Sequence, residues 1–286
     1  MKPDRRLTPA RPDLAARHLA GLVEAARFAD PAPHRVAAAS APLRPAPDEG
    51  VGFDTELLHG EDFAVYEVEG GWAWGQAGLD GYVGYLPAAA LSPAEGPAPD
   101  HRVRTQWATV YARPVLKTPP TGALPFGARV AVLDRQGGFV RIGPDRWLHE
   151  RHVAPLSVPE PDWVAVAERF LGTPYVWGGR SPAGIDCSGL VQVARQAAGH
   201  ACPRDSDMQA AGLGRTLGDE PPRRGDLVFW RGHVAVMVDE ARIVHANGHF
   251  METVVEPLAT ATARIEGMGA GPVTRRARLD ENARPV

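Results

Sequence analysis

Cysteine is almost absent from this chain. Only Cys187 and Cys202 occur among 286 residues, 15 positions apart, too few for a disulfide-stapled scaffold. Long apolar runs are missing as well. No stretch approaches the ~18 residues of a membrane span, so no membrane partner is expected. The opening Met1-Lys-Pro-Asp-Arg-Arg-Leu-Thr-Pro has charge but not the ~7–15-residue apolar core of a secretory leader, which points to a cytoplasmic protein. Charge of one sign is not concentrated anywhere. Thirty-one basic and 34 acidic residues leave a formal −3, and no block of like charge marks a nucleic-acid partner. The histidines outside Gly232–Asn247 show no metal-ligand spacing, so neither a metal nor another cofactor is expected.

What is present reads as several units. Leu14, His18, Leu19, Leu22, Val23, Ala26 and Phe28 approach a helical stripe, with Pro12 in the first turn and Pro31 and Pro33 closing it. This predicts an N-terminal helical segment over residues 1–33, packed on the body or serving as a dimerisation arm. From Val36 to Ser157 the chain repeats itself imperfectly. Leu58-His-Gly-Glu-Asp-Phe-Ala-Val-Tyr with Gly70-Gly-Trp matches Pro125-Phe-Gly-Ala-Arg-Val-Ala-Val-Leu with Gly137-Gly-Phe. Gly60 to Gly127, Val65 to Val132 and Gly71 to Gly138 share an offset of 67. Short alternating strands broken by Gly, Pro and Asp predict two small all-β barrels over 34–98 and 99–157. Trp72 and Trp74 fit the core of the first better than an open surface. Gly96–Asp100 and Val158–Pro161 read as linkers.

Residues 158–286 carry the chemistry. Asp162 caps a helix running from Trp163 to Leu171. A glycine- and proline-broken loop then leads into Asp186-Cys187-Ser188-Gly189, and Leu190, Val191, Val193, Ala194 and Ala197 continue at helical spacing. Cys187 thereby falls at a helix amino terminus, where free N–H groups and the dipole favour a thiolate. A buried structural cysteine is the competing reading, and for Cys202 it is the simpler one. Asp226–Trp230, Gly232–Val238 and Arg242–Asn247 alternate as strands, Pro272–Leu279 offers an edge strand, and the last few residues are expected to fray. His233 opens its strand as a candidate base. His245 is a candidate to orient it, with Asn247 as its substitute and a satisfied core histidine as the rival explanation. Helices first and strands after is the α+β order.

Pro174-Tyr175-x-Trp177-Gly178-Gly179, then Asp186-Cys187-Ser188-Gly189, Gly225-Asp226-Leu227 and His233-Val234 resemble, in order, the motifs of the NlpC-type papain-like cell-wall peptidases. The resemblance implies an α+β papain-like cysteine peptidase domain, with Cys187, His233 and His245 as catalytic triad. The paired barrels resemble bacterial SH3-like domains, the first more clearly through Gly81-Tyr-Val-Gly-Tyr-Leu.

Within the family, the match to Tyr175, Asp186, Ser188 and Pro203-Arg204-Asp205-Ser206 resembles enzymes that release a free-amino dipeptide from wall peptides. It implies that Tyr175, Asp205 and these neighbours line the substrate site. Asp186 would hold the terminal ammonium, or simply cap the helix. Ser188 and Ser206 would donate to the α-carboxylate of a γ-linked D-Glu, unless Ser206 caps the next helix. Glu56 or Glu61, with Tyr82 or Tyr85, would wall off the cleft from the first SH3-like domain. The expected activity is hydrolysis of the γ-D-Glu–diamino acid bond (diaminopimelate or Lys) in freed stem peptides with an unblocked L-Ala. Its setting would be murein-peptide recycling. The alternatives are an exported endopeptidase acting on intact wall and a non-catalytic wall-peptide binding module.

Overall fold

A computed structural model describes residues 4–279. The chain forms two compact units, divided between Leu156 and Ser157.

The first unit is almost entirely strand. Residues Ala32–Val36, Asp62–Glu69, Trp72–Ala77, Val83–Pro87 and Leu91–Pro93 make a five-stranded antiparallel sheet. Ser40–Leu43 and Thr55–Leu58 add a hairpin. A second set from His101 to Pro155 repeats the plan, and the internal duplication is visible in single hydrogen bonds. Gly60 N–H donates to Val36 O (2.9 Å) and Val36 N–H to Glu61 O (3.0 Å). Sixty-seven residues on, Gly127 N–H donates to Val103 O (3.0 Å) and Val103 N–H to Ala128 O (2.8 Å). Gly60 is required twice over. Its φ is +76°, and a Cβ there would stand 2.0 Å from the Arg129 carbonyl oxygen of the second repeat. Trp74 is 3% exposed and packs with Leu14 and Val83, a core residue as expected.

The helix expected over Asp13–Phe28 does not form. Leu14–Ala16 and Arg27–Ala29 pair as short parallel strands, linked through a 3₁₀ turn at Arg17–Leu19. Leu14, Ala15 and Ala16 are all fully buried. Their consecutive burial follows no amphipathic stripe, and a strand covered on both sides holds it easily. Leu22, which the helical stripe would have buried, is 77% exposed, and Gly21 breaks the chain at φ +81°.

The second unit has three helices before its sheet. These are α1 (Trp163–Glu168), α2 (Cys187–Ala197) and α3 (Ser206–Gly212), with α4 (Leu258–Gly267) following later. Asp162 caps α1 through bonds from the Val164 and Ala165 N–H groups (2.9 and 3.0 Å). The six-stranded sheet is antiparallel throughout. Arg275–Arg278 is not an edge strand. It lies between Arg215–Thr216 and Leu227–Trp230, pairing with both, and its Ala277 is fully buried. The terminal residues expected to fray lie outside the described residues. Val228, Trp230, Ala235, Met237 and Ile243 bury one face of the sheet with Ala261 and Ile265 of α4. Helix α2 packs on His233–Met237 and Arg242–Asn247.

Candidate active site

Cys187 is the first residue of α2, and Asp186 is its N-cap. Asp186 Oδ1 accepts from the Gly189 N–H (2.6 Å), satisfying one of the donors that every helix start leaves open. Gly189 has no alternative here, since a Cβ would stand 2.4 Å from the Gly179 carbonyl oxygen of the preceding loop. The same aspartate ties that loop down, its Oδ2 accepting from Gly178 N–H (2.8 Å). Arg204 then closes on it, Nη1 to Oδ1 at 3.0 Å and Nη2 to Oδ2 at 2.6 Å, and also donates to Ser188 Oγ (2.9 Å). Ser188 Oγ donates in turn to Asp186 Oδ1 (3.3 Å). Asp186 thus fills the capping role, and both its oxygens are occupied. Gln209, fully buried in α3, donates to Ser188 O and Pro203 O (2.9 Å each), locking the Arg204 turn to the start of α2.

The expected histidines meet. Trp230 and His233 face each other across the two-residue turn Arg231-Gly232, with Gly232 at φ +74°, so His233 is the first residue after a tight hairpin. Its Nε2 lies 2.8 Å from His245 Nδ1. His245 is fully buried, and its Nε2 lies 2.8 Å from Glu256 Oε1. Register explains that contact. Val254 stands opposite His245, which leaves Glu256 on the diagonal and on the same face. Arg264, two turns into the unit's last helix, forms an ion pair with Glu256. Asn247 Nδ2 lies 3.2 Å from the same His245 nitrogen, while its oxygen accepts from the N–H groups of His249 and Phe250.

Cys187 is 7% exposed, and its sulfur sits against the strand that His233 opens, with the Val234 N–H bonding to it. The lowered thiol pKa expected of a helix start is not found. Burial, then the Asp186 charge, push it up to about 12, against the opposing pull of the Val234 N–H, the Arg204 charge and the Ser188 N–H. Burial, then His245 and Arg264, hold His233 down to about 3, and burial and Arg264 do the same for His245. At all three groups burial is the largest cause and works against the charged form.

Of the expected substrate residues, Tyr175 stands near both Cys187 and Asp186. Its hydroxyl pKa is raised by burial, then by the charges of those two residues. Ser188 is buried in the Asp186–Arg204 cluster. Asp205 and Ser206 begin α3. Ser206 is not a cap, because the helix starts with it and Asp205 occupies the N-cap position. Glu56 lies on the strand Thr55–Leu58 of the first unit, where Glu61 and Tyr82 are both buried (3% and 2% exposed). Tyr85, half-buried, has its hydroxyl accepting from Arg11 (3.1 Å). Cys202 is a buried free thiol, as read from sequence. Among the described residues there is no cluster of His, Cys, Asp and Glu able to hold a metal, and no helix is long and apolar enough to cross a membrane. Sequence reasoning missed Arg204 as a member of the site, although its motif was in view. It also missed Glu256 and Arg264, which only the strand register brings to His245.

Comparison with known proteins agrees with this geometry. Residues 172–264 match the NlpC/P60 family, and residues 43–91 match the bacterial dipeptidyl-peptidase SH3 domain. The chain is 26% identical to the gamma-D-glutamyl-L-lysine dipeptidyl-peptidase of Bacillus cereus, covering 76% of this chain and 74% of that one. It is 34% identical over 113 residues to dipeptidyl-peptidase 6 of Lysinibacillus sphaericus, spanning 38% of this chain and 41% of the relative's length. The crystal structure of an NlpC/P60 family protein from Bacillus cereus superposes with a TM-score of 0.73 at 20% identity, over 86% of this chain and 99% of that one, a likeness of fold. With a loop-to-helix cysteine, a paired histidine and both domain types matched in order, the chain carries an NlpC/P60 cysteine-peptidase domain at residues 172–264 and a bacterial dipeptidyl-peptidase SH3 domain at residues 43–91.

Proposed function

We propose that the chain hydrolyses the γ-D-Glu–diamino acid bond, with diaminopimelate or Lys as the diamino acid, in stem peptides whose L-Ala amine is free. The observation that carries this reading is the line of contacts His233–His245–Glu256, on a strand whose next residue, Val234, bonds its N–H to the Cys187 sulfur. Glu256 is ion-paired with Arg264, so it accepts, and as the closer and charged neighbour of His245 Nε2 (2.8 Å, against 3.2 Å for Asn247 Nδ2) it holds the His245 proton on that nitrogen. His245 Nδ1 is then an acceptor, His233 carries its proton on Nε2, and the lone pair of His233 Nδ1 is left free to act as base.

The Cys187 proton passes to that nitrogen as the sulfur attacks the γ-carbonyl carbon of D-Glu. With the Gly189 N–H held by Asp186, the Cys187 N–H at the start of α2 would donate to the developing oxyanion. His233 returns the proton to the leaving amine, and water hydrolyses the thioester with the same imidazole as base. Neutral partners suit this sequence. The charge pair forms only when substrate displaces water and the imidazolium is stabilised by His245 and, through it, Glu256.

The dipeptide-releasing specificity is supported by the SH3 model at residues 43–91 and by the names of the relatives. The reading extends to Tyr175, Asp186, Ser188, Asp205 and Ser206 as substrate contacts. It also extends to recycling of freed wall peptides in the cytoplasm. The test is incubation with L-Ala-γ-D-Glu-L-Lys, its diaminopimelate counterpart and their N-acetylated forms, read by mass spectrometry. Release of L-Ala-γ-D-Glu from the free-amine peptides alone is expected. Equal cleavage of the acetylated peptides, or soluble fragments from purified sacculi, would refute the specificity.

A further inference from the structure

The unit from Ser157 onward has a large cleft, of about 1060 Å³, that is lined by none of Cys187, His233 and His245. It opens between the start of α1, the end of α2 and the turn at Arg223–Asp226. Arg195, in the last turn of α2, lines it. The residue is 6% exposed, and its guanidinium carbon stands 5.6 Å from the centroid of the Trp163 ring. Among the described residues the guanidinium forms no hydrogen bond or ion pair, and its buried Nε has no partner.

The carboxylates on the same wall are already committed. Asp162 caps α1 and pairs with Arg224, Glu160 pairs with Arg169, and Asp226 pairs with Arg278. A desolvated cation with no counter-charge is costly. The carbonyl end of α2 offsets only part of that cost, because the helix field is weak beyond its last turn. The charge is felt nearby: burial, then Arg195, lower the pKa of His200 on the same wall.

We propose that this cleft binds a small molecule bearing an oxyanion, a phosphate or a carboxylate, held by the Arg195 guanidinium with the rest of the ligand against Trp163. A planar guanidinium suits either group, donating two parallel bonds to one oxyanion. The volume exceeds a bare ion and fits a ligand of metabolite size. The site is independent of the peptidase reading, since no hydrolytic residue takes part.

The probe is the His200 ring, followed by NMR across pH in the full-length protein. Inorganic phosphate and citrate are added separately, against chloride at matched ionic strength. A saturable upward shift of the His200 titration with phosphate, citrate or both is expected, and the responding arm identifies the group. Arg195→Met keeps an apolar stem beside Trp163 and should lose the saturable shift while retaining peptide hydrolysis. Should Arg195→Met not fold, Arg195→Lys is read instead. It keeps the charge without the fork and should bind at least about tenfold more weakly. Only a linear response in the wild type, or an undiminished response in the variant that is read, overturns the site.

Discussion

Arg204 holds the Asp186 carboxylate with both terminal nitrogens, at 3.0 and 2.6 Å, and both side chains are almost wholly buried. The pair joins the Pro203–Ser206 turn to the helix start that carries Cys187. A buried pair of this kind contributes little over an apolar replacement of both partners, but removing one partner strands the other's charge. Arg204→Met is therefore expected to destabilise the catalytic unit by about 3–5 kcal/mol. The double variant Arg204→Met/Asp186→Asn should lose clearly less than the sum of the two singles. Urea denaturation followed by near-UV circular dichroism measures both.

Cys187→Ala should abolish turnover of the free tripeptide while leaving the unfolding midpoint within about 1 kcal/mol of the wild type, since one buried sulfur is exchanged for a smaller apolar group. Turnover by this variant at the wild-type rate would exclude a thioester route. Mass spectrometry of the wild type quenched in acid should show the acyl adduct on Cys187 alone.

Glu256→Gln tests the proton order along the histidine pair. Without a carboxylate the His245 tautomer is no longer fixed, and the imidazolium at His233 loses its distant counter-charge. A fall in kcat on the order of 10²-fold is expected, with KM little changed. The acid limb of the pH–rate profile should move as well, a change that a purely packing role would not produce. Glu256→Ala, which also strands Arg264, should add a loss of stability that Glu256→Gln does not.

The two histidines also set an acid limit on the fold. Both have folded-state pKa values of about 3, below the usual value of 6.5. As pH falls below that usual value, the unfolded chain takes up protons that the folded chain refuses. Stability is therefore fully present above about pH 6.5 and is lost as pH falls toward 3, at up to about 1.4 kcal/mol per pH unit for each ring. Thermal melts from pH 7 to 4 should show a falling midpoint, shallower in His245→Gln than in the wild type.

The catalytic unit was legible where local spacing encodes local geometry. Asp186-Cys187-Ser188 after a glycine-rich loop announces a capped helix start, and Arg231-Gly232 between two apolar runs announces the hairpin that presents His233. The repeat in the first unit was legible for the same reason, since Gly60 and Gly127 mark one turn used twice. Glu256 was not legible, because its meaning depends on cross-strand register with His245. The first 30 residues misled because Leu14, Ala15 and Ala16 are buried by tertiary contacts on every side, which erases any period. The direction of the Cys187 pKa was misread because a sequence displays the helix dipole but not the depth of burial.

That depth carries a consequence for the protein at rest. A thiol with its pKa pushed up to about 12 is almost entirely protonated at neutral pH, and protonated sulfur reacts slowly with peroxide, haloacetamides and stray disulfides. The enzyme would therefore endure oxidising insults between turnovers that quickly silence peptidases with a standing thiolate. Chemical vulnerability should appear only while a peptide fills the cleft, so covalent inhibitors built on the dipeptide should label Cys187 far faster than simple alkylating agents do.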